Sequence, residues 1–243
     1  MARTRVAVAV IVILAALNVF QFVQNRRAES GFMNDEEIFR FAKQWGFTQD
    51  FFRANRWLGV QTLQNPLDAW TTQEIITEVR PDVIVEAGTY KGGSAIMWAA
   101  LLELLKPDSK VITIDVKDQT NAARETDIWK RRVEFLKGSS TAPAIVQNVR
   151  QQVEGKRALV ILDSLHTRDH VYDELKIYSK MVPVGSYIIV QDTGAFKPVV
   201  SDLSGAAQAI TDFLAETDDF EIDKSRERFL LTTNPTGYLK RVK

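Results

Sequence analysis

The chain has 243 residues, of which 45% are apolar, 26% are charged and 9% are aromatic. This length allows one ordinary domain, or one domain with a small additional segment. The sequence contains no cysteine, which excludes disulfide scaffolds, cysteine-ligated zinc sites, iron–sulfur clusters and thiol nucleophiles. Basic and acidic residues balance at 31 each, so bulk charge gives the chain no general affinity for nucleic acid.

An apolar segment over residues 6–23 lies near the N terminus, interrupted only by Asn18 and Gln21. A helix of this length extends about 27 Å, close to the roughly 30 Å hydrocarbon core of a bilayer. We therefore expect an uncleaved membrane anchor over residues 1–28. A cleaved signal peptide with a site at 28–30 is disfavoured, because two arginines precede that site. A buried soluble helix is the third alternative.

Basic residues flank the apolar segment on both sides. The residues before it are Arg3 and Arg5, and those after it are Arg26, Arg27, Arg40 and Lys43. The larger number on the C-terminal side predicts, through the positive-inside bias, a single-pass membrane protein whose catalytic domain faces the cytoplasm.

Residues 34–58 are rich in aromatic side chains and are interrupted near Gly46. Asn34 is a suitable N-cap, and the three acidic residues after it suit the first turn of a helix. We predict a helical N-terminal extension over residues 29–70 that packs on a main domain over residues 71–243. A lid over a ligand is the alternative role for the extension.

Short apolar runs alternate with helical patterns along the main domain. Helices are predicted over residues 67–79, 94–105 and 168–181, and strands over 83–85, 111–114, 133–136, 158–162 and 187–190. Continuous apolar runs separated by helices indicate parallel strands buried on both faces. Two alternating segments, 220–223 and 229–233, followed by a turn signal at 234–237, predict antiparallel strands at the end of the sheet. The predicted fold class is α/β and Rossmann-like, with helices on both faces of a mostly parallel sheet.

A glycine-rich turn, AGTYKGG at 87–93, follows the first predicted strand and precedes a helix that starts at Ser94. Glycine lets the backbone approach a ligand closely, and the start of a helix offers free N–H groups to an anionic group. Dinucleotide oxidoreductases have glycine where Glu86 stands; a carboxylate there repels pyrophosphate and suits an ammonium group. Glu86 and the Ser94 helix together favour S-adenosylmethionine over a nicotinamide cofactor. A tight turn without a ligand is the alternative.

Asp115 ends the second predicted strand. A carboxylate at this place can accept hydrogen bonds from two ribose hydroxyls. A solvated aspartate at the end of a strand is the alternative, and the combination with Glu86 favours the ribose.

Five blocks of residues 57–243 resemble the cephalosporin hydroxylase family, which includes rhamnosyl O-methyltransferases. The blocks are 57–76, 84–99 (IVEAGTYKGGSAIMWA), 111–116, 159–193 and 220–241. The resemblance implies a class I methyltransferase fold with a seven-stranded sheet whose last strand is antiparallel. It also implies S-adenosylmethionine as the cofactor.

A more distant resemblance is to metal-dependent catechol-type O-methyltransferases, which have a similar first motif. It implies contacts between the cofactor and residues of that motif, the strand-end acid and a serine on the adenine side. These residues are Glu86, Gly88, Thr89, Tyr90, Gly92, Ser94, Asp115 and Ser140.

Polar side chains follow two neighbouring predicted strands, Asp163 after 158–162 and Gln191 with Asp192 after 187–190. The carboxyl ends of parallel strands meet at one edge, and two carboxylates with an amide oxygen suit Mg²⁺. Such a cation would lower the pKa of a substrate hydroxyl and orient its oxygen. Both resembling families have metal ligands here, although hydroxylase-type members have an acid in place of Gln191 and catechol-type enzymes have Asp-Asn. Capping of the following loops is the alternative role.

His166 lies three residues after Asp163, where catechol-type enzymes have a basic lysine. An imidazole can take up a hydroxyl proton near neutral pH, so His166 and Asp163 are the predicted catalytic residues. A loop histidine that contacts a ligand without proton transfer is the alternative. His170 is predicted to be structural.

The predicted function is that of a membrane-anchored, S-adenosylmethionine-dependent O-methyltransferase assisted by Mg²⁺. Its acceptor is a hydroxyl of a sugar, glycolipid or secondary metabolite, and an anchor favours a lipid-linked glycan. The alternatives are a non-catalytic cofactor-binding module, a nicotinamide oxidoreductase and a true hydroxylase. No nucleic-acid partner is expected, and a homo-oligomer is compatible with the sequence.

Overall fold

The computed structural model describes residues 37, 40, 41, 44, 54–194, 205–229 and 231–243. The predicted anchor over residues 1–28 and much of the predicted extension over residues 29–70 lie outside the described residues. The boundaries between the predicted segments therefore stay predictions. Within the part that is described, no helix combines the length and the apolar character that crossing a membrane requires.

From residue 54 onward, a small hairpin precedes an alternation of strands and helices. The strands are β1 (Arg56–Trp57), β2 (Val60–Gln61), β3 (Val83–Ala87), β4 (Lys110–Asp115), β5 (Val133–Lys137), β6 (Ala158–Leu162), β7 (Tyr187–Val190), β8 (Phe220–Ile222) and β9 (Tyr238–Arg241). The helices are α1 (Pro66–Val79), α2 (Gly93–Leu105), α3 (Asn121–Arg124), α4 (Asp127–Arg132), α5 (Pro143–Val153), α6 (Arg168–Tyr178) and α7 (Gly205–Leu214). Two 3₁₀ turns, Ser179–Met181 and Lys224–Glu227, follow α6 and β8.

Seven strands form one sheet in the order β5-β4-β3-β6-β7-β9-β8. The five strands from β3 to β7 are parallel to one another. The last strand of the chain, β9, is antiparallel to both of its neighbours, β7 and β8. This confirms the predicted mostly parallel sheet. It also brings the carboxyl ends of β3, β4, β6 and β7 to the same edge.

Alternate residues of each central strand face two different layers of helices. In β3, Val83 and Val85 pack with residues of α5, α6 and α7, whereas Ile84 packs with residues of α1, α2 and α4. Because both faces of the sheet are covered, the central strands consist of continuous apolar runs. This packing explains why the sequence alone predicted all five of them.

The final strand differs from the prediction. Residues 229 and 231–233 are irregular, and the strand that completes the sheet is β9. Tyr238 and Leu239 are buried, but Lys240 and Arg241 follow them, so β9 shows no apolar alternation in the sequence. The predicted turn at 234–237 is confirmed, with Gly237 N donating to Asn234 O over 2.9 Å.

A buried carboxylate on α1 binds the C-terminal segment to the rest of the domain. Asp68 is 2% exposed. Its oxygens accept hydrogen bonds from Thr232 Oγ1, from Thr233 N and Oγ1, and from Tyr238 OH, over 2.5 to 3.0 Å. The side chain of Asn65, which caps α1, donates a fifth hydrogen bond over 2.9 Å. A single side chain thus orders the connection that leads into β9.

We expect Asp68→Ala to lower the free energy of unfolding by about 3 kcal/mol or more, because it leaves several buried donors without an acceptor. Urea denaturation of the variant and the unsubstituted chain measures this difference. Asp108→Ala, at an exposed turn, is the matched control and should change the free energy by less than about 0.5 kcal/mol. Equal midpoints for the two variants would contradict the role of Asp68.

Candidate active site

A cleft of about 660 Å³ opens at the carboxyl edge of the sheet, where ligands bind in open α/β folds. The loops after β2, β3, β4, β5, β6 and β7 all contribute to its walls. Most of the predicted site residues line it: Gly88, Thr89, Tyr90, Ser94, Asp115, Ser140, Asp163, His166 and Asp192. The predicted residues outside that lining are Glu86, Gly92 and Gln191.

The turn after β3 lies directly against the loop after β6. Gly88 has a φ of +100°, and a Cβ at this position would lie 1.9 Å from the carbonyl oxygen of Asp163. The Asp163 N–H donates to the carbonyl of Ala87 over 2.8 Å. Only glycine meets both the backbone angle and the close approach, so Gly88 joins the predicted cofactor loop to the predicted metal loop.

Asp115 supports the same turn from β4. Its Oδ2 accepts hydrogen bonds from the backbone N–H of Thr89 over 3.2 Å and of Tyr90 over 2.9 Å. Its Oδ1 accepts one from Lys117 N over 2.9 Å. Tyr90 has a φ of +49°, an unusual angle for a residue with a side chain, which these bonds help to hold. Asp115 therefore orders the loop as well as facing the cleft.

Glu86, predicted to meet a ligand ammonium group, is instead buried beneath α2. Its Oε1 accepts a hydrogen bond from Trp98 Nε1 over 3.0 Å, and its Oε2 accepts one from Thr113 Oγ1 over 2.6 Å. Burial outweighs these hydrogen bonds and raises the pKa of Glu86 to about 7. The carboxyl group connects β3, β4 and α2, and at 1% exposure it offers no surface to a ligand.

Gly92 lies at the start of α2, with its Cα facing the core. Its φ is +83°, and a Cβ there would lie 2.6 Å from the ring of Trp129 and 2.9 Å from Ala123 Cβ. The role that the structure gives Gly92 is the packing of α2 against α3 and α4. Ser94, two residues further on, does line the cleft and is 8% exposed.

Ser140 belongs to a buried polar cluster at the far end of the cleft. Its Oγ donates to Glu174 Oε1 and lies 3.2 Å from His170 Nε2. Ser164 Oγ donates to the same glutamate oxygen over 2.7 Å. The hydrogen bond with Glu174, which is fully buried, raises the pKa of His170. The cluster joins the loops after β5 and β6 through α6, so His170 has a polar structural role.

Three predicted residues meet at the other end of the cleft. His166 Nε2 lies 3.4 Å from Asp192 Oδ2 and 3.8 Å from Asp163 Oδ1. Each of the three residues has one possible ligand atom within 4.8 Å of the corresponding atoms of the other two. Asp192 has a φ of +56°, and its N–H donates to Asn234 Oδ1 over 3.0 Å. The C-terminal segment thus holds the loop that carries Asp192.

Both carboxyl groups of this cluster have raised pKa values. Burial, followed by the nearby charges of Asp192 and Glu86, raises the pKa of Asp163 well above its ordinary value. Burial and the charge of Asp68 raise the pKa of Asp192, although His166 lowers it. A cation between the carboxylates would offset the cost of ionising them. This favours metal binding over the alternative role, in which these residues only cap the following loops.

Gln191 does not line the cleft. Its amide is paired with Gln64, a residue between β2 and α1 for which the sequence predicted no role. Gln64 Nε2 donates to Gln191 Oε1 over 2.9 Å, and Gln191 Nε2 donates to Gln64 Oε1 over 3.1 Å. Gln64 lies just before the Asn65 cap in the first resembling block. In the sequence, an amide residue just before a helix cap is the feature that could have pointed to Gln64.

The mostly parallel seven-stranded sheet, with β9 antiparallel between β7 and β8, defines a class I methyltransferase-like α/β protein. Strand-end carboxylates and a glycine-rich turn facing one cleft agree with that class. The sequence profile of the rhamnosyl O-methyltransferase/CmcI family matches residues 49–242. The chain belongs to this family, as its resemblance predicted.

Individual relatives agree with the family profile. The rhamnosyl O-methyltransferase of Mycobacterium leprae (strain TN) is 32% identical over 207 residues, which cover 82% of this chain and 88% of the relative. The rhamnosyl O-methyltransferase of Mycobacterium bovis (strain BCG / Pasteur 1173P2) is 31% identical over 208 residues, with 82% of each chain covered. A solved structure of CmcI with Mg and SAM has a TM-score of 0.64 at 20% identity, covering 83% of this chain and 84% of CmcI. It shows the same fold.

Glu86 makes the stability of the chain depend on pH in a defined window. Its pKa rises from 4.5 to about 7 on folding, so the folded chain binds the proton more tightly than the unfolded chain. This contribution is complete below the lower pKa and is lost as pH rises through the higher one. We expect the stability of the unsubstituted chain, relative to Glu86→Gln, to fall by up to about 3 kcal/mol over this range.

Urea denaturation of both proteins at about pH 5 and about pH 8 measures the effect of Glu86. Carboxyl groups that do not interact with Glu86 titrate alike in both proteins and cancel in the comparison, whereas Asp163, whose pKa the charge of Glu86 raises, contributes to the measured difference. Parallel pH profiles would show that the Glu86 carboxyl ionises at its ordinary pKa.

Proposed function

We propose that this chain is an S-adenosylmethionine-dependent O-methyltransferase that methylates a hydroxyl of a sugar or sugar-containing metabolite with the help of Mg²⁺. One observation carries the proposal. A single cleft has the Gly88 turn and the start of α2 on one side and the Asp163, His166 and Asp192 cluster on the other. The curated relatives, named rhamnosyl O-methyltransferases, support it.

The cleft has the groups that the methyl donor requires. The first turn of α2 presents N–H donors to a carboxylate, and Ser94 and Gly88 line the cleft beside it. Asp115 has about four lone-pair positions, and three are occupied by the backbone donors of Thr89, Tyr90 and Lys117. One position remains for a ribose hydroxyl, rather than the two predicted from the sequence. Ser140 marks the adenine side of the same cleft.

The opposite end of the cleft has the groups that a divalent cation requires. Asp163 and Asp192 supply carboxylate oxygens, which Mg²⁺ prefers while it retains several waters. Both carboxyl groups are held close together in a partly desolvated place, where a positive charge is stabilising. Gln191 is not needed for this set.

The residues of the cluster perform complementary steps. When bound, S-adenosylmethionine supplies an electrophilic methyl group and Mg²⁺ supplies a charge that lowers the pKa of the acceptor hydroxyl. Asp163 and Asp192 hold that hydroxyl close to the donor side of the cleft. His166, whose Nε2 lies 3.4 Å from Asp192 Oδ2, accepts the hydroxyl proton at that nitrogen.

Two apolar side chains beside the cluster suit an acceptor with an apolar part. Leu63 is 41% exposed and Leu165 is 56% exposed, and both line the cleft. Exposed leucines at the rim of a polar site favour a ligand that covers them. Together with the apolar segment at residues 6–23, they support a lipid-linked glycan acceptor and an anchored enzyme whose catalytic domain faces the cytoplasm. A homo-oligomer is compatible with this arrangement.

Mass spectrometry of lipids and glycans from cells with and without the protein tests the acceptor. A species that gains the mass of one CH₂ only in the presence of the protein identifies it. Incubation of the purified protein with the same extract and isotopically labelled S-adenosylmethionine should transfer the label to that species. Transfer to another class of molecule would overturn the sugar assignment.

We expect Asp115→Ala to weaken the affinity for S-adenosylmethionine at least about tenfold, since it removes a ribose acceptor and frees the Thr89 and Tyr90 N–H groups. Isothermal titration calorimetry measures the dissociation constant. Asp118→Ala, three residues further on in the same loop, is the matched control and should leave the affinity unchanged. Equal affinities for the two variants would remove Asp115 from the cofactor site.

We expect Asp192→Asn to abolish the effect of Mg²⁺ on methyl transfer while leaving S-adenosylmethionine binding intact. Asparagine tolerates the left-handed backbone of this position, so the change removes charge without adding strain. Activity is measured over a range of Mg²⁺ concentrations and after chelation. Activity that survives both chelation and this substitution would refute metal assistance.

A further inference from the structure

Gln64 contacts two of the loops that form the cation end of the cleft. It lies between β2 and α1, lines the cleft and is 5% exposed. Its Nε2 donates to Gln191 Oε1 over 2.9 Å and to Asp163 Oδ2 over 3.2 Å. Its Oε1 accepts from Gln191 Nε2 over 3.1 Å. One amide group therefore bridges the loops after β6 and β7.

The amide pair leaves little capacity for another ligand. Both N–H groups of Gln64 Nε2 are used, and the oxygen and nitrogen of the Gln191 amide both face Gln64. Gln191 is also 5% exposed. Gln191 Oε1 keeps a second lone pair, but Gln191 does not line the cleft. Turning its amide toward a cation there would break the pairing with Gln64, which costs about 1–3 kcal/mol for each buried group left unpaired.

The bridge also selects which oxygen of Asp163 faces the cluster. Oδ2 accepts the hydrogen bond from Gln64, and Oδ1 is the oxygen 3.8 Å from His166 Nε2. A carboxylate held by one oxygen presents the other in a defined direction. Partners of this kind orient metal ligands in many sites.

We infer that Gln64 is a positioning residue: with Gln191 it forms an amide clamp that holds Asp163 with Oδ1 toward the cation, and Gln191 itself is not a metal ligand. The inference rests on the proposed metal-assisted methyl transfer. It assigns a role to a residue outside the strand-end motifs. The predicted ligand set was Asp163, Gln191 and Asp192. The clamp reduces it to the two carboxylates, together with the waters that Mg²⁺ retains.

The clamp accounts for the amide at position 191. Asp163 already lies near the charges of Asp192, Glu86 and Glu174. A carboxylate in place of the Gln191 amide would add a further negative charge near this group. An amide pair restrains Asp163 without adding charge, so two carboxylates suffice to hold a divalent ion.

Calorimetric titration of the full chain with Mg²⁺, in the presence of S-adenosylmethionine, tests the clamp. Gln64→Ala should weaken Mg²⁺ binding roughly 10–100-fold, which is the effect typical of removing a residue that hydrogen-bonds to a metal ligand. Its affinity for S-adenosylmethionine should not change. Gln152→Ala, which removes a glutamine–carboxylate hydrogen bond to Glu134 at the other edge of the sheet, is the matched control and should change neither affinity.

A double-mutant cycle separates the clamp from direct ligation by Gln191. If the two amides act as a unit, Gln64→Ala combined with Gln191→Ala binds Mg²⁺ no more weakly than Gln64→Ala alone. If Gln191 is a ligand, Gln191→Ala has the larger effect and the two losses add. The second pattern would overturn the inference.

Two further outcomes have distinct meanings. An unchanged Mg²⁺ affinity in Gln64→Ala would overturn the clamp while leaving the proposed function intact. Parallel losses of Mg²⁺ and S-adenosylmethionine affinity would show a general structural role and would also overturn it. If the unsubstituted chain binds neither S-adenosylmethionine nor Mg²⁺, the proposed function fails before the clamp is tested.

Discussion

The two ends of the candidate site depend on one contact between backbones. Gly88 in the turn after β3 approaches the carbonyl of Asp163 so closely that no side chain fits between them, and the adjacent Asp163 N–H binds Ala87 O. The contact sets the distance between the loop proposed to face the methyl donor and the carboxylate proposed to hold the cation. In-line transfer depends on that distance, because it requires donor and acceptor at fixed separation.

Buried acids form a layer beneath this contact. Glu86 and Glu174 are buried, Asp163 is partly exposed, and the charges of the first two act on Asp163. Two of them, Glu86 and Glu174, are bound by hydroxyl, indole or imidazole donors from neighbouring elements. Asp163 has a single amide donor among the described side chains and so retains capacity for a cation.

Much of the architecture could be predicted from the sequence because the sheet is covered on both sides. Buried parallel strands consist of apolar runs, and the acids that end them, Asp115, Asp163 and Asp192, necessarily meet at one edge. Glu86 belongs to β3, not to the glycine-rich turn with which the sequence prediction grouped it. The period of two places it on the same face as Ile84, which packs on α2.

Other structural features could not be predicted, because no pattern in the sequence indicates them. In α5, only Val149 and Val153 are buried among polar neighbours, so the helix was not predicted. The pairing of Gln64 with Gln191 joins residues 127 positions apart, so no pattern of neighbouring residues in the sequence indicates it. The family resemblance predicted a cofactor motif and a metal position, whereas the hydrogen bonds that decide which side chains can reach a ligand required the folded structure.

The insertion of β9 between β7 and β8 has a consequence for biosynthesis. Tyr238 in this strand binds Asp68, 170 positions earlier, and Asn234 holds the loop of Asp192. A nascent chain still lacking these residues can assemble the parallel strands but not the wall that carries Asp192. Since translation proceeds from the N terminus, competence for catalysis arrives only after Asn234 and Tyr238 have been synthesised. Contacts this distant in sequence also make the final step slow.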